Sequence, residues 1–159
     1  MLGLNYPGGP EIEKHAKQGD ENKYKFSRPM QGDKSCDFSF SGLKTAVKLL
    51  IEKEKVNGKL SNQQICDICA SLQKVFAATL INRLENAFKI YSNKTSNINK
   101  KLIFCGGVAA NQYLRNKINQ FLILHGYELV TPPIKLCTDN AAMIAWVGIE
   151  KLKNKQSAP

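Results

Sequence analysis

The sequence contains no long hydrophobic run and no leader-like N-terminus. No apolar stretch approaches the roughly 20 residues that a membrane-spanning helix needs. The first residues, MLGLNYPGGPEIEK, lack a basic segment followed by an apolar one. These absences predict a protein with no membrane partner and no secretory signal peptide. The length of 159 residues and the hydrophobic fraction of 43% suit one globular domain with a sizeable core.

The cysteines do not suit a disulfide framework. Five of them, an odd number, are scattered through apolar segments, which predicts reduced core thiols in a cytoplasmic protein. Cys66 and Cys69 form a C-x-x-C pair, but they fall within a predicted helix. No second cysteine or histidine pair lies near them in the sequence, so the spacing argues against a zinc or redox role.

Arginine is scarce although the chain is strongly basic. Only three of the 23 basic residues are arginines, and the net charge is +10. Selection for phosphate recognition often retains arginine for its bidentate fork, whereas codon drift in an AT-rich genome would produce a lysine excess of this kind. A polyanionic partner and a compositional bias both remain open as explanations of the charge.

The rest of the chain is organised around the stretch KLIFCGGVAANQYLRNKI at residues 101–118. Residues 101–105 form a short apolar run that predicts a buried strand, which Gly106 and Gly107 then break. Asn111 begins a segment with helical spacing of apolar residues. A strand, paired glycines and a helix in this order can bring the backbone close to a ligand. A tight turn with no ligand produces the same pattern, so both interpretations stay open.

Periodicity and turn residues predict the other elements of an α/β domain. An S-x-x-Q capping box at Ser61 opens the longest helix. This helix covers 61–91. The other predicted helices cover 11–17, 43–55 and 141–150, and two more strands are predicted at 36–40 and 127–131.

Three carboxylates near helix starts have two interpretations each. Glu11 and Glu13 fall in the first turn of the first helix, where the helix dipole favours negative charge; they either cap that helix or help the glycine-rich loop before it to hold a sugar hydroxyl. Asp139 precedes the last helix. Either Thr138 or Asp139 caps that helix, or Asp139 holds a divalent cation beside a ligand.

Four motifs together resemble the tRNA threonylcarbamoyladenosine transferase family (TsaD, formerly Gcp, the O-sialoglycoprotein endopeptidase). They are YPGGP at 6–10, FSFSGLKTAV at 38–47, GGVAAN at 106–111 and CTDNAAMIA at 137–145, in family order over nearly the whole chain. The resemblance implies an α/β fold of the ASKHA superfamily (actin, sugar kinases, heat-shock ATPases), which has two ribonuclease-H-like lobes. It further implies that residues 1–155 form the C-terminal lobe without the first lobe, and that 156–159 are a tail.

The resemblance also implies a reaction. The family transfers a threonylcarbamoyl group from threonylcarbamoyl-AMP to the amino group of the tRNA adenosine beside the anticodon. Carried over by position, Gly9, Glu13 and Asn111 are expected to contact the nucleotide-like substrate and Asp139 to bind metal, while no catalytic side chain is assigned. One divalent metal, iron or zinc, is implied as cofactor. The implied partners are tRNA, the first lobe in trans, and TsaB-like and TsaE-like proteins.

Several parts of the family pattern are missing from this sequence. The H-x-x-x-H metal pair, the SGGHT phosphate loop and the aspartate before the YPGG segment do not occur in it. Asp139 alone cannot hold a catalytic iron or zinc, because such sites use several protein ligands. We therefore expect half of a transferase that is inactive without the first lobe. The alternatives are a non-catalytic remnant or scaffold protein of the family, and an ATPase of the wider superfamily, against which the missing phosphate loop argues.

Overall fold

A computed structural model describes residues 1–94 and 99–155 of the chain. The predicted α/β class is confirmed at this level, whereas the predicted tail at 156–159 lies outside the described residues. In chain order the elements are α1 (Gly8–Ala16), α2 (Ser41–Glu54), α3 (Asn62–Lys94), β1 (Lys101–Ile103), α4 (Gln112–Leu124), β2 (Glu128–Val130) and α5 (Ala141–Lys153), with 3-10 turns at Gly107–Ala110 and Ile134–Leu136.

The long helix α3 is the element against which the others pack. Its N-terminal half packs against α1 and α2, and its C-terminal half packs against α4 and the two strands. Different faces of α3 pack against these neighbours. Ile68, Leu72 and Val75 contact α2, and Cys69 and Ala70 contact α1. The residues that contact α4 are Leu80, Ile81, Leu84 and Phe88. Burial of this apolar surface is the main term that favours the fold.

The length and composition of α3 would also allow a membrane span. One 18-residue window of the helix has a mean hydropathy of 1.3, but 61% of that window is buried inside the chain. Burial on several sides is what a helix that is apolar around most of its circumference requires in a packed domain. The contacts of α3 therefore account for its apolar character as a core helix.

The start of α3 is fixed by the predicted capping box, which is confirmed. The backbone N–H of Ser61 donates to Oε1 of Gln64 at 2.8 Å, and the backbone N–H of Gln64 donates to Oγ of Ser61 at 3.2 Å. These two bonds satisfy N–H groups that a helix start leaves without a partner. The helix consequently begins within one residue of the predicted position.

The central stretch folds as a strand–helix–strand unit. Strands β1 and β2 pair in parallel, with Lys101 opposite Glu128 and Ile103 opposite Val130, and α4 connects them. A parallel pair needs a crossover of this kind, because a tight turn cannot reverse the chain direction twice. These two strands make up the one sheet found in residues 1–94 and 99–155.

The predicted strand at 36–40 is wrong. Residues 37–40 have no regular secondary structure, pair with no strand among the described residues, and lead directly into α2. The ring of Phe40 stacks on that of Phe76 in α3, with centroids 4.6 Å apart. A loop that places one aromatic side chain on a core can carry the same short alternation of apolar and polar residues, so the pattern did not require a sheet.

Helix α5 carries an apolar surface that the described part of the chain leaves uncovered. None of its residues is buried, although Ile144 is 67% exposed and Trp146 is 63% exposed. The prediction that the strand at 101–105 is buried is wrong, since no residue of β1 is buried and Ile103, at its end, is 72% exposed. Exposed apolar side chains in this number are characteristic of contact faces.

The segment that follows α1 lies directly on α3. The backbone N–H of Asp20 donates to Oδ1 of Asp67 at 2.8 Å, and Oγ of Ser71 donates to the carbonyl of Asp20 at 3.3 Å. A Cβ on Gly19 would collide with the backbone carbonyl of Cys66. Only glycine therefore allows the chain to approach α3 this closely.

We expect Gly19→Ala to lower the free energy of unfolding by about 3 kcal/mol, because the new methyl group meets a helix backbone that cannot move aside. Urea unfolding followed by circular dichroism measures the loss. Gly148→Ala is the matched control, since a Cβ there meets nothing within 4 Å and alanine is the better helix former. An equal effect of the two substitutions would contradict the packing of the Gly19 segment on α3.

Candidate functional site

A pocket lies where the start of α1, the middle of α3 and the start of α4 meet. Its volume is about 280 Å³. Gly9, Glu13 and Asn111, which the sequence analysis assigns to substrate binding, all line it, although they lie up to about a hundred positions apart in the chain. Asp139, the fourth assigned residue, does not line this pocket. The apolar walls are formed by Ile12, Leu72, Phe76, Val108 and Leu114.

Asn111 holds the start of α4 against α3. Its Oδ1 accepts from the backbone N–H of Leu114 at 2.9 Å, which makes it the N-cap of α4. Its Nδ2 donates to Oε1 of Gln73 at 2.7 Å. The amide thus joins two helices at the edge of the pocket.

Glu13 also acts on the start of α4 rather than on its own helix. Its Oε1 accepts from the backbone N–H of Gln112 at 2.7 Å. The carboxylate therefore satisfies one of the free N–H groups in the first turn of α4 and lies at the positive end of that helix. Of the two acidic residues predicted to cap α1, only Glu11 lies in the first turn of α1.

Glycines form the backbone wall of the pocket. Gly106 has φ of +84°, a conformation that residues with a Cβ rarely adopt, and it links β1 to the 3-10 turn. Gly107 and Gly9 line the pocket, and a Cβ on either would point into open space. The main chain is therefore open to close approach by a ligand on both sides of the pocket.

Asp139 is exposed and lies just before α5. The predicted cap by Thr138 or Asp139 is wrong, because Asn140 is the N-cap and its Oδ1 accepts from the N–H of Met143 at 3.0 Å. Asn140 directly precedes the first helical residue, so its side chain reaches the free N–H groups that the two earlier residues do not. The assignment of Asp139 as a metal ligand stays a prediction.

The described residues do not make up a metal site by themselves. Across 1–94 and 99–155 no three histidine, cysteine, aspartate or glutamate side chains cluster with the geometry of metal ligands. His15 and His125 each use Nδ1 at 2.8 Å from a backbone carbonyl four residues earlier in the chain. The donor set present here therefore does not fit a catalytic iron or zinc, which needs several protein ligands.

The cysteines are all free, and the prediction of core thiols holds for three of the five. Cys66, Cys69 and Cys137 are buried, whereas Cys36 and Cys105 are exposed, contrary to expectation. Burial, with a smaller contribution from the charge of Cys66, raises the pKa of Cys69 to about 11. A thiol with a raised pKa is a poor nucleophile and metal ligand at neutral pH, which agrees with a structural role for the C-x-x-C pair.

Two arginines that hold loops in place, Arg115 beside the pocket and Arg83 away from it, were not identified from the sequence. Arg115 donates to the carbonyl of Ala109, to Oγ1 of Thr131 at 3.0 Å and to the carbonyl of Pro132 at 3.0 Å. It thereby joins the 3-10 turn beside the pocket to the segment after β2. Arg83, which is 2% exposed, donates at 2.9 Å to the carbonyls of Asp33 and Ser35. The scarcity of arginine was the one sequence signal that could have identified both.

The sequence pattern of one family, described as TsaD: tRNA N6-adenosine threonylcarbamoyltransferase, matches residues 1–146. This range contains Gly9, Glu13, Asn111 and Asp139. The chain belongs to the TsaD family. Membership accounts for the four motifs over which the sequence resembled that family, and it places the pocket of Glu13 and Asn111 within the matched range.

Curated proteins named tRNA N6-adenosine threonylcarbamoyltransferase are similar to all or nearly all of the chain. The protein of Rickettsia rickettsii (strain Sheila Smith) is 47% identical over 160 residues, covering 100% of this chain and 46% of that relative. The protein of Rickettsia bellii (strain OSU 85-389) is 45% identical, also covering 100% and 46%. That of Anaplasma marginale (strain St. Maries) is 46% identical over 153 residues, covering 96% and 44%. The chain thus spans about half the length of the curated relatives it matches.

We expect Asn111→Ala to lower the free energy of unfolding by about 1 kcal/mol, because α4 loses its N-cap. Asn111→Ser should lose less, since serine is a good N-cap and still offers an oxygen to the N–H of Leu114. Urea unfolding of the two variants and the wild type measures the difference. Equal losses for serine and alanine would show that the cap is not the source of the stabilisation.

Proposed function

We propose that this chain provides one half of the active site of a transferase that moves threonylcarbamoyl from threonylcarbamoyl-AMP to the tRNA adenosine beside the anticodon. The observation that carries the proposal is the convergence of Gly9, Glu13 and Asn111 on one pocket. Membership of the TsaD family supports the reaction class. The chain covers 46% of the length of the relative from Rickettsia rickettsii (strain Sheila Smith). This coverage supports the view that activity also needs residues that correspond to the remainder of the relative.

The pocket suits the nucleoside part of an adenylate. Its walls are largely apolar, with a few polar groups at the edge, which is the usual composition of small-molecule sites. Glu13 makes one hydrogen bond to the backbone of α4, and a carboxylate has further acceptor capacity for ribose hydroxyls. The open backbone at Gly9 and Gly107 allows a ring or a phosphate to approach the main chain.

The contribution of this half to the reaction is binding and orientation. Holding the adenylate in one geometry makes the attack of the adenosine amine effectively intramolecular, and positioning of this kind can supply much of a rate enhancement. The family enzymes use a divalent metal as an electrophilic aid. The described residues do not form its site, so we assign no step to the metal and propose Asp139 only as a single ligand within a larger site.

The remaining parts of the proposal concern fold and context. Residues 1–155 would form a ribonuclease-H-like lobe of the ASKHA superfamily, with the sheet of β1 and β2 as part of it. The uncovered apolar surface of α5 is consistent with a lobe that contacts further polypeptide. The proposed partners are tRNA, a polypeptide that matches the other half of the relatives, and TsaB-like and TsaE-like proteins, in a cytoplasmic setting.

A non-catalytic scaffold of the same family is the second candidate. The specific observation in its favour is that Glu13 and Asn111 both have structural partners at the start of α4. The same contacts would be retained in a protein that had lost substrate binding. Binding of the adenylate separates the two candidates, because a scaffold would fold without binding it.

We expect a thermal-shift titration with a non-hydrolysable analogue of threonylcarbamoyl-AMP to stabilise the chain. At a ligand concentration of about 100 times the dissociation constant, the gain should be about 2.7 kcal/mol. Asn111→Ala should lose this gain. Asn119→Ala, the same change at an exposed position of α4, should keep it. A cooperative melt that no concentration of the analogue shifts would contradict substrate binding and favour the scaffold.

The same proposal makes an activity test possible. Adding the polypeptide that matches the other half of the relatives should produce modified tRNA, measured by incorporation of labelled threonine. Modification of tRNA by this chain alone would contradict a half-site, and so would a failure of the combined halves to act.

A further inference from the structure

A second and larger groove lies away from the pocket of Glu13 and Asn111. Its volume is about 730 Å³, and it lies between the segment at 24–30 and one side of α2. It shares no lining residue with the pocket described above. The groove is therefore separate from the pocket of Glu13 and Asn111.

The groove is positively charged and offers hydrogen-bond donors. Its lining includes Lys25, Arg28 and Lys53 and no carboxylate. The first turn of α2 forms part of the wall, contains no acidic residue, and has no side-chain cap from Phe40. The N–H groups of such a turn attract anions. The hydroxyls of Ser39 and Ser41 lie 3.4 Å apart on the same wall.

Arg28 differs from the other two arginines because it makes no hydrogen bond within the described residues. Arg83 and Arg115 each donate several hydrogen bonds that hold loops in place. In contrast, no hydrogen bond or ion pair joins Arg28 to the described part of the chain, and its Nε is buried without a partner. Nε of Arg83 is also unpaired, but the terminal nitrogens of Arg83 are bonded. A buried donor without a partner is costly unless a ligand supplies the acceptor.

We propose that this groove binds a backbone phosphate of the tRNA, with Arg28 as the principal contact and Lys25, Lys53 and the first turn of α2 around it. An arginine fork matches the oxygens of a phosphate, which accept two parallel hydrogen bonds. The net charge of +10 favours a polyanion over a neutral peptide. A contact of this kind positions the RNA and does not read its sequence. The choice of tRNA rests on the proposed function.

We expect Arg28→Gln to weaken the binding of an unmodified, fluorescently labelled tRNA transcript about tenfold, as measured by anisotropy. The slope of log K against log salt concentration should fall in magnitude by about 1, because one phosphate contact is lost. The affinity of Arg28→Lys for the tRNA should lie between those of the wild type and Arg28→Gln, since lysine keeps the positive charge but lacks the planar pair of donors. Lys48→Gln removes one charge from an exposed position of α2 that lies outside the groove, and it should change the affinity by less than about twofold.

Arg28→Gln should melt as the wild type does, because Arg28 makes no hydrogen bond within the described residues. Equal affinities and salt slopes for Arg28→Gln and Lys48→Gln would overturn the proposal, and so would the absence of tRNA binding by the wild type at 50 mM salt. If Arg28→Gln keeps RNA binding and instead loses association with the polypeptide of the relatives' other half, the groove is a protein interface and the proposal is wrong.

The experiments distinguish a failure of the proposed transferase function from a failure of the proposed phosphate site. Arg28→Gln should keep the thermal shift with the adenylate analogue, because the groove and the pocket share no residue. A missing shift together with Arg28-dependent RNA binding would overturn only the proposed reaction. A normal shift with RNA binding that does not depend on Arg28 would overturn only the phosphate site.

Discussion

The burial of α3 on several sides is the constraint on which the rest of the structure depends. Residues of this helix contribute to every one of the three hydrophobic clusters in the described chain. Full burial of a large aliphatic side chain stabilises by about 1.5–3 kcal/mol, and α3 supplies several. The same helix provides Leu72, Gln73 and Phe76 to the pocket. Packing and the candidate site therefore rest on one element, and a change that moves α3 alters both.

The candidate site is also coupled to the docking of α4. Glu13 from α1 and Asn111 before α4 line the pocket with side chains that satisfy the first N–H groups of α4. The pocket consequently exists only when α1, α3 and α4 are assembled, and any ligand that fills it stabilises that assembly. Because these side chains both contact the start of α4 and line the pocket, the sequence alone could not separate a structural from a functional interpretation of them. The uncovered surface of α5 has no such internal role.

Local chemistry made much of the fold predictable. The capping box at Ser61, the glycine at 106 and the apolar spacing of α4 each depend on neighbours within a few residues, and each appears as predicted. The strand predicted at 36–40 failed because a strand needs a partner, and partners are set by distant parts of the chain. In the structure, the ring of Phe40 stacks on the ring of Phe76 in α3.

The residues of the candidate site were singled out by resemblance and not by spacing, and their role in substrate binding stays a prediction. Motif positions identified Gly9, Glu13 and Asn111, and the structure brings them together. Their actual partners, such as Gln73 and the N–H of Gln112, depend on how three helices pack, which no local pattern contains. The roles of Arg83 and Arg115 were missed for the same reason, since their acceptors are backbone carbonyls of loops that only the fold places within reach.

Hydrogen exchange followed by mass spectrometry tests the central role of α3 most directly. Amides in the middle of α3, around residues 66–80, should exchange only when the whole domain unfolds, because every cluster that buries them must open first. Amides of α5 should exchange far faster, since none of its side chains is buried. Protection in a monomeric sample that is as strong in α5 as in α3, or weak throughout α3, would contradict the account.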